Sequence, residues 1–179
     1  NLACSDVQKI RESVRDDICL SINISPKQLQ DGGFNEKVAA IIQKYPMERV
    51  HIVIEITERA AMELSDSVKQ RIDRLRSHGI SFSLDDFGMG HNSFLQLQEG
   101  FFDEVKLDGN LVSQLLVNKR SKDIISGIIQ LSKQLNCRTI AEFVEDENQR
   151  DVLRDLGCQV YQGYYYSKPL APEDLMEYV

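Results

Sequence analysis

Two spacings of apolar residues alternate along this chain. Short runs rich in β-branched residues, ICLSIN (18–23), VHIVIEI (50–56), ISFSLD (80–85), DEVKL (103–107), CRTIAE (137–142) and QVYQ (159–162), read as strands. Helical periodicity fills the intervals. Ser25, Pro26 and Gln28 predict a helix start: a capping hydroxyl, proline at the first helical position, and a glutamine able to reach back. Pro46 closes the helical segment that follows. Val68, Ile72 and Leu75 share one face ahead of a glycine stop at Gly79, and Val152, Leu153 and Leu156 end against Gly157 in the same way. Ile124, Ile128, Leu131 and Leu135 form the clearest apolar stripe, which is expected to pack into the core.

Strands alternating with helices predict an α/β fold in which a parallel sheet is covered by helices. A dinucleotide-binding sheet has no support, because no GxGxxG follows the first strand and GMGHNS (88–93) lacks the third glycine. A barrel of eight βα units takes about 250 residues. At 179 residues the chain is short of that by roughly two units. Polar residues nevertheless recur where such a barrel opens. Asn23 ends the first strand, Glu55 lies near the end of the second, Asp85 and Asp86 end the third, Lys106 is late in the fourth and Glu142 ends the fifth. The carboxyl ends of parallel barrel strands share one face, so these side chains are expected to converge.

Composition narrows the function. A hydrophobic content of 42% is ordinary for one globular domain, and a net charge of −7 argues against general nucleic-acid binding or contact with an acidic membrane face. The cysteines Cys4, Cys19, Cys137 and Cys158 show neither CxxC pairing nor zinc-ligand spacing and are expected to be reduced thiols. No apolar run is long enough to span a bilayer and no signal peptide opens the sequence, so the expected location is cytoplasmic.

Two adjacent aspartates at a strand end are either solvated or neutralised by a cation. Oxygen ligands without histidine or cysteine suit Mg²⁺ or Mn²⁺. Two such ions, about 4 Å apart, activate a water and stabilise the leaving oxygen of a phosphate ester. Lys106 would then add positive charge near the phosphate or the attacking water.

The ordered segments SINISPKQL, VIEITE, SLDDFGMG, DEVKLD, AEFVE and QGYYYSKPL resemble the EAL domain family of cyclic di-GMP phosphodiesterases over nearly the whole chain. The resemblance implies a TIM-like (β/α)8 barrel of EAL type, here with about six of the eight units, and hydrolysis of cyclic di-GMP to linear pGpG with two Mg²⁺ or Mn²⁺ ions. By position, Asn23 and Glu55 resemble ligands of one ion, Asp86 and Glu142 ligands of the other, and Asp85 the ligand of both. Lys106 resembles the lysine that contacts the catalytic water, and Gln162 the glutamine beside substrate and water. Glu58 is similar to the glutamate that anchors the loop after DDFG, Glu145 to the second acid of AExVE, and Asp108 to the acidic residue after the lysine, a substrate-side position.

Departures from the family pattern set further expectations. The name-giving glutamate has no counterpart, so residues 1–179 are expected to form a single partial EAL domain that binds metal weakly and is impaired by itself. Strand edges left open invite homodimerisation. The usual DFGTGYSS is DFGMGHNS here, with Met89, His91 and Asn92 replacing a threonine, an aromatic and a small hydroxyl residue. His91 is expected to be solvated. Phe143 stands where the family has glycine, which would narrow the pocket or demand a different backbone angle. The alternative reading is a catalytically inactive EAL-like sensor of cyclic di-GMP or a protein-interaction module.

Overall fold

The structure, a computed structural model, describes residues 2–13, 17–45, 49–88 and 93–178. Pro46, Met89, His91 and Asn92 lie outside the described residues, and with them the expectations placed on them. Among the described residues six strands form one sheet in sequential order: β1 (Ile18–Asn23), β2 (Val50–Thr57), β3 (Ser81–Phe87), β4 (Glu104–Leu107), β5 (Arg138–Ala141) and β6 (Val160–Tyr161). Each coincides with a predicted strand to within about two residues at either end. Helices lie before, between and after them: α1 (Leu2–Ser13), α2 (Pro26–Gln30), α3 (Phe34–Lys44), α4 (Glu58–Met62), α5 (Asp66–Arg76), α6 (Ser93–Gln98), α7 (Gly109–Ser113), α8 (Lys119–Gln134), α9 (Glu147–Leu156) and α10 (Pro172–Tyr178). β3, β4, β5 and β6 pair in parallel. Sequential strand order with helical crossovers is the connectivity of a TIM-like (β/α) barrel, with six of its units present here.

The described residues divide into two compact units. One comprises residues 1–54, 64–81 and 169–179. Within it the predicted capping box is present at α2: Ser25 Oγ accepts the Gln28 N–H, and the Gln28 side chain accepts the Ser25 N–H. Val68, Ile72 and Leu75 of α5 are buried, and Arg71 between them donates to the carbonyls of Leu29, Gln30 and Asp31, tying α5 to the end of α2. The Leu29 and Gln30 carbonyls end their short helix without an intrahelical donor, so one guanidinium nitrogen of Arg71 satisfies them instead.

The other unit comprises residues 55–63 and 82–168 and contains most of the predicted site. Its core is Phe82, Leu84, Phe87, Val105 and Leu107 from the strands, with Ile125, Ile128 and Ile129 of α8 and Leu153 of α9 packed over them. The predicted α8 stripe is displaced by about one position. Ile128 is buried as expected, but Ile124 is 52% exposed and Leu135 is also exposed. The buried face is Ser121, Ile125, Ile128, Ile129 and Ser132. Serines continue the inward face at both ends of α8, and an apolar pattern cannot register them. α9 ends as predicted, with Gly157 in the left-handed region at φ +93° as its C-terminal stop. All four cysteines are free, and Cys4, Cys137 and Cys158 are buried.

Candidate active site

Side chains two apart on a strand share a face. Ser83 and Asp85 on β3, and Glu104 and Lys106 on β4, therefore project together, while Leu84, Val105 and Leu107 turn to the helices. This polar face is buried at Ser83, Glu104 and Lys106, and Arg138 at the start of β5 closes its far end by pairing with Glu104. At the carboxyl end, Lys106 Nζ lies 3.1 Å from Glu55 Oε2, 3.0 Å from Asp85 Oδ1 and 2.8 Å from Glu142 Oε1, with the lysine side chain only 6% exposed. Four chain segments thus meet at one ammonium group, contributed by the ends of β2, β3 and β5 around β4.

Adjacent aspartates on a regular strand would face opposite sides of the sheet. Here they do not. Leu84 pairs with Val105 and Phe87 with Leu107, so three steps along β3 match two along β4, and the extra residue falls at Asp85–Asp86. Asp86 absorbs the bulge with a left-handed φ of +57°, a region aspartate enters more readily than most residues. As a result one carboxylate oxygen each from Asp85, Asp86 and Glu142 lie within 4.8 Å of one another. The DD pair indicated the acids in the sequence, but the bulge that brings them together left no sequence signal.

Burial raises the Glu142 carboxyl above the usual carboxylate range, and the charges of Asp85 and Glu55 add to the rise against the opposing Lys106. Asp86 is raised too, first by burial and then by the charges of Asp85 and Asp108. For Lys106, burial by itself would lower the value. The hydrogen bond and charge of Glu142, with the charges of Asp85 and Glu55, outweigh it and hold the ammonium above its ordinary value. The lysine is therefore a permanent cation and a hydrogen-bond donor, unsuited to accept a proton near neutral pH.

The donor set fits a hard divalent cation. Four carboxylates, Glu55, Asp85, Asp86 and Glu142, face one ammonium, leaving excess negative charge when all are ionised. Asp85 Oδ1 is buried and, although close to Lys106 Nζ, makes no hydrogen bond. A cation would satisfy such an oxygen. Asp85, Asp86 and Glu142 could hold one ion. They offer only oxygen, which suits Mg²⁺ or Mn²⁺ better than a closed zinc site.

The remaining predicted residues occupy defined places. Asn23 is the exposed last residue of β1, in the first unit. Glu58 is buried at the first turn of α4, where Thr57 caps the helix by accepting the Ala60 N–H. Asp108 is buried and caps α7, its Oδ1 accepting the Asn110 N–H at 2.9 Å, so its carboxylate is at least partly committed to the fold. Gln162 is pinned through its backbone: its N–H donates to Ala141 and its carbonyl accepts from Val144. Glu145 is exposed, and its N–H donates to Gln149 Oε1. Glu142, Glu145 and Gln162 line a recess of about 210 Å³ together with Phe143, Gly163 and Tyr164. Gly163 and Tyr164 are marked in the sequence only by the three consecutive tyrosines after QG. Phe143 adopts φ +55°, the left-handed region that favours glycine, so the backbone keeps a glycine-like angle rather than a different one, and the side chain lines the recess.

A family model for the EAL domain matches residues 1–169. This chain belongs to the EAL domain family. The EAL chain is 30% identical over 174 residues to the bifunctional diguanylate cyclase/cyclic di-GMP phosphodiesterase MucR of Pseudomonas aeruginosa, covering 97% of this chain and 25% of MucR. It is 31% identical over 161 residues to the cyclic di-GMP phosphodiesterase RocR of the same organism, covering 90% of this chain and 41% of RocR. Among solved structures, the PaMucR phosphodiesterase in complex with c-di-GMP matches with a TM-score of 0.88 at 30% identity, covering 97% of this chain and 70% of that one. The chain thus spans between a quarter and a half of the length of these two curated relatives. Among the described residues no helix is long and apolar enough to cross a membrane.

Proposed function

We propose that this EAL chain carries the metal-binding and water-orienting residues of a cyclic di-GMP phosphodiesterase that opens the cyclic dinucleotide to linear pGpG. The observation that carries the reading is the meeting of Lys106 with Glu55, Asp85 and Glu142, beside the Asp85, Asp86 and Glu142 triplet. Residues 1–179 are read as part of one EAL domain.

Glu55, Asp85, Asp86 and Glu142 would hold Mg²⁺ or Mn²⁺. When bound, a divalent cation polarises the phosphoryl oxygen and lowers the pKa of a coordinated water. The residues of the chain supply the rest. Lys106, held protonated, donates to the attacking water or to a phosphate oxygen and offsets charge that builds on the phosphorus-bound oxygens. Its three carboxylate partners fix the ammonium, so little reorganisation accompanies reaction. Gln162, whose backbone is tied to Ala141 and Val144, presents its side chain at the recess beside Glu142. Attack by the water oxygen breaks one P–O ester bond and leaves pGpG. Glu58 would anchor the loop after DDFG, Glu145 would serve beside Glu142 in catalysis, and Asp108 would orient Lys106 and substrate through the start of α7. The same reading places the chain in the cytoplasm, where free thiols persist. Phe94 and Leu95, exposed on α6, support self-association as a homodimer.

The test is incubation with cyclic di-GMP and Mn²⁺, followed by separation of nucleotides. Release of pGpG that is lost in Asp85→Asn supports the phosphodiesterase. Tight nucleotide binding without product at any metal concentration supports a sensor instead.

A further inference from the structure

Phe143 combines two features that ordinary packing does not explain. An aromatic L-residue at φ +55° is in the strained left-handed region. Yet the residue is 61% exposed, so core burial does not offset the strain. The ring is not loose. It lies over Gly109, where an added Cβ would come within 2.6 Å of its Cγ and 2.8 Å of its Cε2. Phe143 is held in position by the Gly109 backbone while most of it stays open to solvent.

The neighbours give that open surface a use. Phe143 directly follows Glu142 and lines the same recess as Gln162 and Tyr164. Tyr164 is also largely exposed, with Lys168 Nζ 5.8 Å from its ring centroid. A fixed aromatic surface next to a cation-binding acid cluster suits a ligand with a flat base and a nearby phosphate.

We propose that Phe143 contacts substrate, stacking one guanine of cyclic di-GMP on its open ring at the rim of the recess. The inference rests on the phosphodiesterase reading above and adds a base-recognition role to it. Binding of a hydrolysis-resistant phosphorothioate analogue of cyclic di-GMP, measured in Mg²⁺, tests it in the unsubstituted chain and in Phe143→Leu, Phe143→Gly and Phe143→Trp. Stacking predicts a Kd raised roughly tenfold in the Leu and Gly variants and close to the original in Trp. Affinity for Mg²⁺ alone, titrated separately, stays unchanged in Leu and Trp; a merely structural role of Phe143 in placing Glu142 would shift it. Equal or tighter nucleotide binding by Phe143→Gly overturns the stack and makes the side chain a plug. If the unsubstituted chain binds no analogue at all, the phosphodiesterase reading itself fails, and the stack with it.

Discussion

Lys106 Nζ lies 2.8 Å from Glu142 Oε1, and the same ammonium reaches Asp85 and Glu55. The sheet has thus folded around an ion cluster in which one cation serves three buried or nearly buried anions. Removing that cation strands like charges in a place with little water. Lys106→Met is expected to lose roughly 3–5 kcal/mol of stability at neutral pH, as when one partner of a buried pair is deleted. A divalent cation replaces the lost charge, so Mg²⁺ is expected to raise the denaturation midpoint of this variant more than that of the unsubstituted chain. Urea titrations with and without Mg²⁺ check both statements. A midpoint that ignores the ion would mean that the carboxylates do not act as one cluster.

The acids themselves set a pH dependence. Asp86 and Glu142 both titrate above the usual carboxylate range in the fold, burial being the main cause. A folded value above the unfolded one means that the native state holds these protons more tightly. Their contribution to stability is therefore present below the unfolded carboxylate value and lost as pH rises through their folded values. Cation binding must displace the same protons. Calorimetric titration of Mg²⁺ in buffers of different ionisation enthalpy is expected to find proton release at mildly acidic pH that fades toward neutrality, with affinity rising over the same interval. Constant affinity across that window would contradict the assignment of these residues as ligands.

The sequence carried the strand order, because β-branched runs bounded by turns are local signals. It also carried Lys106, Glu55, Asp85, Asp86 and Glu142 as candidates, because charged residues at the ends of apolar runs are conspicuous. It did not carry the means by which Asp85 and Asp86 meet. A bulge is a mismatch between two strands, here three residues of β3 against two of β4, and neither strand alone encodes it. The strained backbone of Phe143 was legible only as a departure from glycine, and its seat on Gly109 depends on residues more than thirty positions apart. The buried face of α8 is not legible from apolar spacing alone, because Ser121 and Ser132 carry it beyond the isoleucines.

The two faces of α8 are directly distinguishable by substitution. Ile125 is fully buried, whereas its neighbour Ile124 is mostly exposed. Ile125→Ala is expected to cost about 2–5 kcal/mol through lost burial and the cavity left behind. Ile124→Ala is expected to stay within about 0.5 kcal/mol of the parent, as exposed substitutions usually do. Chemical denaturation of the two variants separates the faces. Equal losses would restore the stripe of Ile124, Ile128, Leu131 and Leu135.

Two glycines of the same unit test how the recess is built. Gly163 sits against the Val144 backbone, where an added Cβ would collide with both the amide nitrogen and the carbonyl oxygen. Backbone atoms cannot move aside as a flexible side chain can, and these are paired: Val144 N–H donates to Gln162, and Tyr165 N–H donates to the Val144 carbonyl. Gly163→Ala must therefore separate two connected loops, and its cost is expected at ~3 kcal/mol, the upper part of the overpacking range. Because Gln162 is the preceding residue, the same change is expected to shift it from the recess and to weaken nucleotide binding. Gly127, in the middle of α8, meets nothing within 4 Å of a built Cβ. There Gly127→Ala is expected to stabilise the helix by about 0.5–1 kcal/mol, since alanine gives up less backbone freedom on folding. Melting curves of the pair, with cyclic di-GMP titrations of each, make the comparison. If Gly163→Ala melts with the parent, the close contact between the QG turn and Val144 does not hold Gln162 in place.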